Sequence, residues 1–66
     1  MPTALGLEYG ALARERDPEL RGEGLLSLAG RQERAQRPDL AVELYQEILQ
    51  NSAIPSPIRE LAQRRL

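Results

Sequence analysis

The 66-residue chain contains no cysteine, histidine, lysine, tryptophan or phenylalanine. Each absence removes a class of function. Without histidine there is no side chain whose ordinary pKa lies near neutrality to serve as a general base. Without cysteine there is no thiolate nucleophile, no disulfide and no nitrogen–sulfur zinc site. Without lysine a phosphate-cradling glycine loop has no cation to complete it. The serines do not replace these groups. Ser27 sits within an apolar helical stretch and lacks the flanking glycines of a nucleophile elbow, and Ser52 and Ser56 read as turn and cap residues. No enzyme is expected, and no cofactor or metal.

Charge and apolar runs exclude more. Nine arginines stand against ten acidic residues, for a net charge of −1. A nucleic-acid binder ordinarily carries a basic surplus, so none is expected here. The most apolar window, residues 4–13, is interrupted by Glu8 and is far shorter than the roughly 20 residues a membrane-spanning helix needs. The basic start and long apolar core of a secretory signal are missing as well, so a cytoplasmic location is the expectation. No window alternates apolar and polar residues as a strand does, and β-branched residues are scarce.

What remains is helical. Residues 25–54 organise the chain as a helix, a break at Arg37-Pro38-Asp39, and a second helix packed antiparallel to the first. In the second, Leu40, Ala41, Leu44, Tyr45, Ile48 and Leu49 recur every four residues, the spacing of one helical face. In the first, Leu25, Leu28 and Ala29 form the stripe, with Leu26 and Ala35 beside it. Its start is marked by Asp17-Pro18, an N-cap followed by proline at the first helical position. Gly22 and Gly24 soften its first turns, so that it begins either at Pro18 or near Glu23, and it is expected to run to about Gln36. Ahead of it, residues 4–16 read as a helix with Leu5, Tyr9, Leu12 and Ala13 on one face; Gly6 and Gly10, four apart, read first as two tolerated glycines of a surface helix and second as room for another helix to approach. Behind it, Ser56-Pro57 repeats the cap–proline signal and opens a helix carrying Ile58, Leu61, Ala62 and Leu66. The fold class is therefore all-α, a single small domain of three to four helices in antiparallel hairpins. A chain this short buries only about 60% of its unfolded surface, so a partner or a second copy is expected to cover part of its apolar face.

Residues 25–53 resemble a tetratricopeptide repeat, a helix–turn–helix unit with a period of 34 residues. Leu25 stands where that family has a large residue, and Leu28-Ala29 where it has a Leu–small pair. Ala41 and Tyr45 match its small and aromatic positions. Ile48 is larger than the family places there, Gln32 stands at a usual aromatic, and Gln36 at a usual glycine. The closing proline would fall at Ala53, whereas the prolines are Pro55 and Pro57. An unrelated helical hairpin accounts for the same spacing and stays open. The resemblance implies stacked helix pairs presenting a groove to a protein or peptide, lined around Leu28, Gln32 and Ala35. It makes residues 56–66 the first helix of a following repeat.

Two roles follow as expectations. The first is a noncatalytic protein-interaction module of helical-repeat type. The second is a self-assembly domain, most simply a symmetric dimer through its terminal helices, with Leu61 and Leu66 in the interface. Asp39, Glu43 and Glu47 form an acidic face best read as solvated. Arg31, Arg34 and Arg37 form a basic edge able to pair with it or with an acidic partner.

Overall fold

A computed structural model describes residues 6–66. They form four helices: α1 Gly6–Arg14, α2 Pro18–Arg34, α3 Pro38–Gln50 and α4 Ser56–Arg65. No strand occurs among the described residues, and the fold is all-α as expected. Leu5, read as part of the first helix face, lies outside them.

The ends of α2 follow from local chemistry. The Asp17 carboxylate accepts a hydrogen bond from the Glu19 N–H at 2.9 Å, with Pro18 at the first helical position. This satisfies one of the donors that a helix start leaves open. At the other end Gln36 adopts a left-handed conformation, φ 61°. The N–H of Gln36 donates to the Glu33 carbonyl at 3.0 Å and that of Arg37 to the Gln32 carbonyl at 2.8 Å. This is the double closure usually built on glycine, here carried by glutamine at some cost in backbone strain. Arg37 is held out of the helical region before Pro38, as a residue preceding proline must be, and α3 begins at once.

The two glycines near the start of α2 do not delay the helix. They sit where other elements approach. A Cβ at Gly22 would lie 2.7 Å from Cγ2 of Ile54 and 3.2 Å from Cγ2 of Ile58, and one at Gly24 would collide with the Leu12 side chain. Gly10 has open space around it, and the close approaches within the chain fall at Gly22 and Gly24.

The start of α4 also differs from the sequence expectation. Ser56 is the first helical residue, not the cap. Pro55 holds the cap position, and no side chain caps the helix. The Pro55 carbonyl accepts from the N–H groups of Ile58 at 3.0 Å and Arg59 at 3.2 Å. The Asn51 side chain accepts from the Ala53 N–H at 3.0 Å and closes the turn before it.

The core lies between α2 and α3 and extends beneath α4. Leu25, Leu28, Ala29, Ala41, Leu44, Tyr45, Ile48, Ile54, Ile58 and Ala62 are all buried in one cluster. Neighbouring pairs give the helix directions. Glu33 meets Tyr45 and Gly22 meets Ile54, so numbers rise on one side as they fall on the other, and α2 and α3 run antiparallel. Gly22 meets Ile58 and Glu33 meets Arg65, so α4 runs alongside α2 in the same sense. Glu8 meets Arg31 and Leu12 meets Gly24, which sets α1 antiparallel to α2. The radius of gyration is 11.0 Å. That is about the value expected for a compact domain of this length, so the helices form one packed unit.

Candidate functional site

Helix α2 carries two parallel stripes. Leu25, Leu28, Ala29 and Gln32 face inward. Glu23, Leu26, Ser27, Gly30 and Arg34 lie one register further round, at spacings of three and four, and remain on the surface. Because α4 runs alongside α2, its Leu61 and Arg65 stand opposite this second stripe. Together these residues, with the edge of Tyr45, line a groove of about 400 Å³.

The groove is not uniform along its length. Glu23 stands at the end where α2 begins. Leu26 and Leu61 form apolar walls, with Leu61 45% exposed. Ser27 and Gly30, both small, occupy the middle. A Cβ at Gly30 would meet only the Arg34 guanidinium, at 3.6 Å. At the far end Arg34 and Arg65 gather near Tyr45, whose hydroxyl donates to Oε1 of Glu33 at 2.6 Å. Arg65 reaches the same oxygen at 3.9 Å, a loose ion pair, and Arg34 has no ion-pair partner among the described residues. Two guanidiniums thus stand near one carboxylate that Tyr45 already engages and only Arg65 reaches, and this end of the groove carries a positive surplus.

Tyr45 reports this arrangement. Burial first, then the hydrogen bond to Glu33 and the Glu33 charge, push its hydroxyl up to about 12, against a downward pull from Arg65 and Arg34. On the opposite side of the molecule Tyr9 donates to Oε1 of Glu47 at 2.5 Å. That hydrogen bond foremost, then burial and the Glu47 charge, raise its pKa as well. Neither hydroxyl is activated as an acid, since both are held in the protonated form.

The residues expected to line a partner groove divide. Leu28 is 2% and Gln32 7% exposed. Both lie inside the chain's own core and present no surface to a partner, which corrects the expectation drawn from them. Ala35 is exposed beyond the last turn of α2. Leu61 lines the groove, and Leu66 is exposed just past α4. The helix face read as continuous in α4 is split: Ile58 and Ala62 are buried and Leu61 and Leu66 are open. Among the described residues Gln32 is the one buried polar side chain, and its Oε1 has no hydrogen-bond partner there. The sequence reading missed Glu23, Ser27, Gly30, Arg34 and Arg65 as groove residues. For the four on α2 the signal was present as a second helical stripe offset from the apolar one; Arg65 joins them only through the placement of α4.

The acidic face, read as solvated, and the basic edge, able to pair with it or with an acidic partner, form no ion pair with each other among the described residues. Arg31 pairs with Glu8 of α1 through two contacts, at 2.5 and 3.0 Å, and Glu47 receives Tyr9. A second hollow, of about 300 Å³, is lined by α4 alone, through Ser56, Arg59, Glu60, Gln63 and Arg64. It has no apolar wall to bury a ligand against. Among the described residues no group of three acidic side chains is placed to hold a metal ion, and no helix is long and apolar enough to cross a membrane. No family model, no curated protein and no solved structure matches the chain.

Proposed function

We propose that this chain is a noncatalytic protein-interaction module of helical-repeat type, acting in the cytoplasm, that takes a protein or peptide segment into the groove between α2 and α4. The observation that carries the reading is the groove itself: apolar walls from Leu26 and Leu61, an unfilled middle at Ser27 and Gly30, and arginines at one end. A segment with an apolar side chain and a carboxylate satisfies both features, since guanidinium groups bind carboxylates through paired N–H donors. The residue set supports a binding role over catalysis, because the groove has no histidine or cysteine and nothing activates its serine hydroxyl. Its titratable members are a glutamate, two arginines and a tyrosine held neutral.

Support for the repeat reading comes from the succession of helices. Neighbours in sequence run antiparallel, and α2 and α4 lie side by side in the same sense, as in a stack of helix pairs. The residues that carry the tetratricopeptide resemblance, Leu25, Leu28, Ala29, Ala41 and Tyr45, are those that pack α2 on α3. Self-association is the second reading, favoured by Leu61 and Leu66, large apolar residues left open on the α4 side.

Selection from a displayed random-peptide library tests the interaction reading. Peptides sharing an apolar–acidic pattern should be enriched by the wild-type chain and lost with Leu61→Glu or Arg34→Glu. Enrichment that survives both substitutions, or none at all from a chain that is monomeric under the conditions of selection, contradicts it.

A further inference from the structure

The charges of the groove are ordered along α2. Glu23 stands at one end and Arg34 with Arg65 at the other, eleven residues away. At 1.5 Å per residue that separation is roughly 16 Å. An occupant matching this surface needs a positive group at one end, a negative group at the other, and a low-relief middle. This chain's own groove has that pattern when turned end for end. We propose that the occupant of the groove is a second copy of the chain, related by a two-fold axis that passes near Ser27 and Gly30.

A two-fold axis perpendicular to α2 reverses the direction of the helix in the second copy. Glu23 then faces the second copy's Arg34 and Arg65, and the same contact repeats at the other end. An isologous interface requires this kind of self-complementarity, since one patch must serve as both partners. The middle fits the arrangement too. Ser27 is exposed and Gly30 has no side chain, so the two α2 helices approach closely where the axis passes. Leu26 and Leu61 flank the axis and cover one another's exposed surface. Arg34 gains the carboxylate partner that it lacks among the described residues of its own chain. An acidic peptide engages only one end and leaves Glu23 against a partner without a matching cation. The second copy satisfies both ends, and for that reason it is the favoured occupant.

This inference rests on the reading of the α2–α4 face as a protein-binding surface and names the partner for it. The test is sedimentation equilibrium of the full chain over a hundredfold concentration range, with four proteins: wild type, Glu23→Arg, the double variant Arg34→Glu/Arg65→Glu, and Ser27→Glu. Circular dichroism of each checks the fold. Ser27 is an exposed helical position, so its change to glutamate retains the helix and sets two like charges against each other at the axis. Wild type should dimerise reversibly and more weakly as salt is raised. Each variant alone should dimerise at least about tenfold more weakly, as like-charge juxtaposition at an interface dictates. An equimolar mixture of Glu23→Arg with Arg34→Glu/Arg65→Glu should recover dimerisation as a heterodimer, because one end contact then keeps its wild-type signs and the other is restored with its signs exchanged.

A wild-type monomer at all concentrations overturns the inference, as does a mixture that associates no better than its components. If the monomeric wild type still enriches peptides that Leu61→Glu loses, the protein-binding face stands and only the choice of occupant is refuted. If it does neither, both are refuted.

Discussion

Helices α1 and α4 flank the same α2–α3 hairpin and are attached to it by different physics. Helix α4 packs against both α2 and α3. It buries Ile58 and Ala62, and Ile54 in the turn before it is 1% exposed. Helix α1 buries none of its residues and packs against α2 alone among the described elements. It reaches α3 through the Tyr9 hydroxyl on Glu47 and is tied to α2 by Glu8 on Arg31 and by half-buried Leu12. Apolar burial is worth roughly 25 cal/mol per Å², whereas exposed ion pairs contribute about 0–1 kcal/mol. The difference places a fixed wall on the α4 side of α2 and a tethered helix on the other. A groove that binds a partner without first being organised belongs on the fixed side.

The largest expected effect strikes the hairpin that both flanks share. Leu44 is buried at 3% exposure, and Leu44→Ala should destabilise by about 2–5 kcal/mol. A domain of this size holds only a few kcal/mol in total. The urea midpoint should therefore fall sharply, with α1 and α4 lost together. Next comes Ile58→Ala, which removes the main apolar anchor of α4. A loss of about 2 kcal/mol is expected, at the low end for such truncations because Ile58 retains slight exposure. Retention of the wild-type midpoint would mean that α4 is no better attached than α1.

The same substitution on the two sides of α2 sharpens the comparison. Gly22→Ala drives a methyl group against the branched, buried side chains of Ile54 and Ile58. Overpacking costs about 1–3 kcal/mol, and the helix propensity gained over glycine returns about 1 kcal/mol. The net result should be destabilising. Gly24→Ala meets the flexible tip of Leu12, which can turn aside on the tethered side. Here the propensity gain should prevail, and thermal midpoints should move in opposite directions for the two variants. The smallest effect is expected for Glu8→Gln. Its ion pair with Arg31 is about half exposed on each partner, with side-chain values of 46% and 49%. A shift of less than about 1 kcal/mol in thermal unfolding is expected.

The parts of this fold that were legible in the sequence are those set by local pattern. The stripe at Ala41, Leu44, Tyr45 and Ile48, the Asp17-Pro18 start and the break at Pro38 each arise from residues within one or two helical turns, where spacing dictates outcome. Gln32 and Leu28 were misplaced because the tetratricopeptide resemblance put them on the groove side; in this chain both lie in the inward stripe with Leu25 and Ala29. Ser56 was read as a cap because Pro57 follows it and suits the first helical position, whereas the helix starts one residue earlier, after Pro55. Gly22 and Gly24 were read as weak points, since a glycine that permits close approach and one that merely softens a helix look alike until the approaching side chain is known. The groove needed the placement of α4, and the pairs Glu8–Arg31, Tyr9–Glu47 and Glu33–Tyr45 join residues 23, 38 and 12 positions apart. No local pattern encodes such pairings.

Native-state hydrogen exchange, read residue by residue, tests most directly whether α4 forms a fixed wall against α2. Amides in the middle of α4, around Leu61 and Ala62, should exchange with the same opening free energy as those of α2 and α3, because all three helices share one buried cluster. Amides of α1 should open at a distinctly lower free energy. Exchange of α4 as fast as that of α1 would contradict the account, since the groove between α2 and α4 would then have no standing wall.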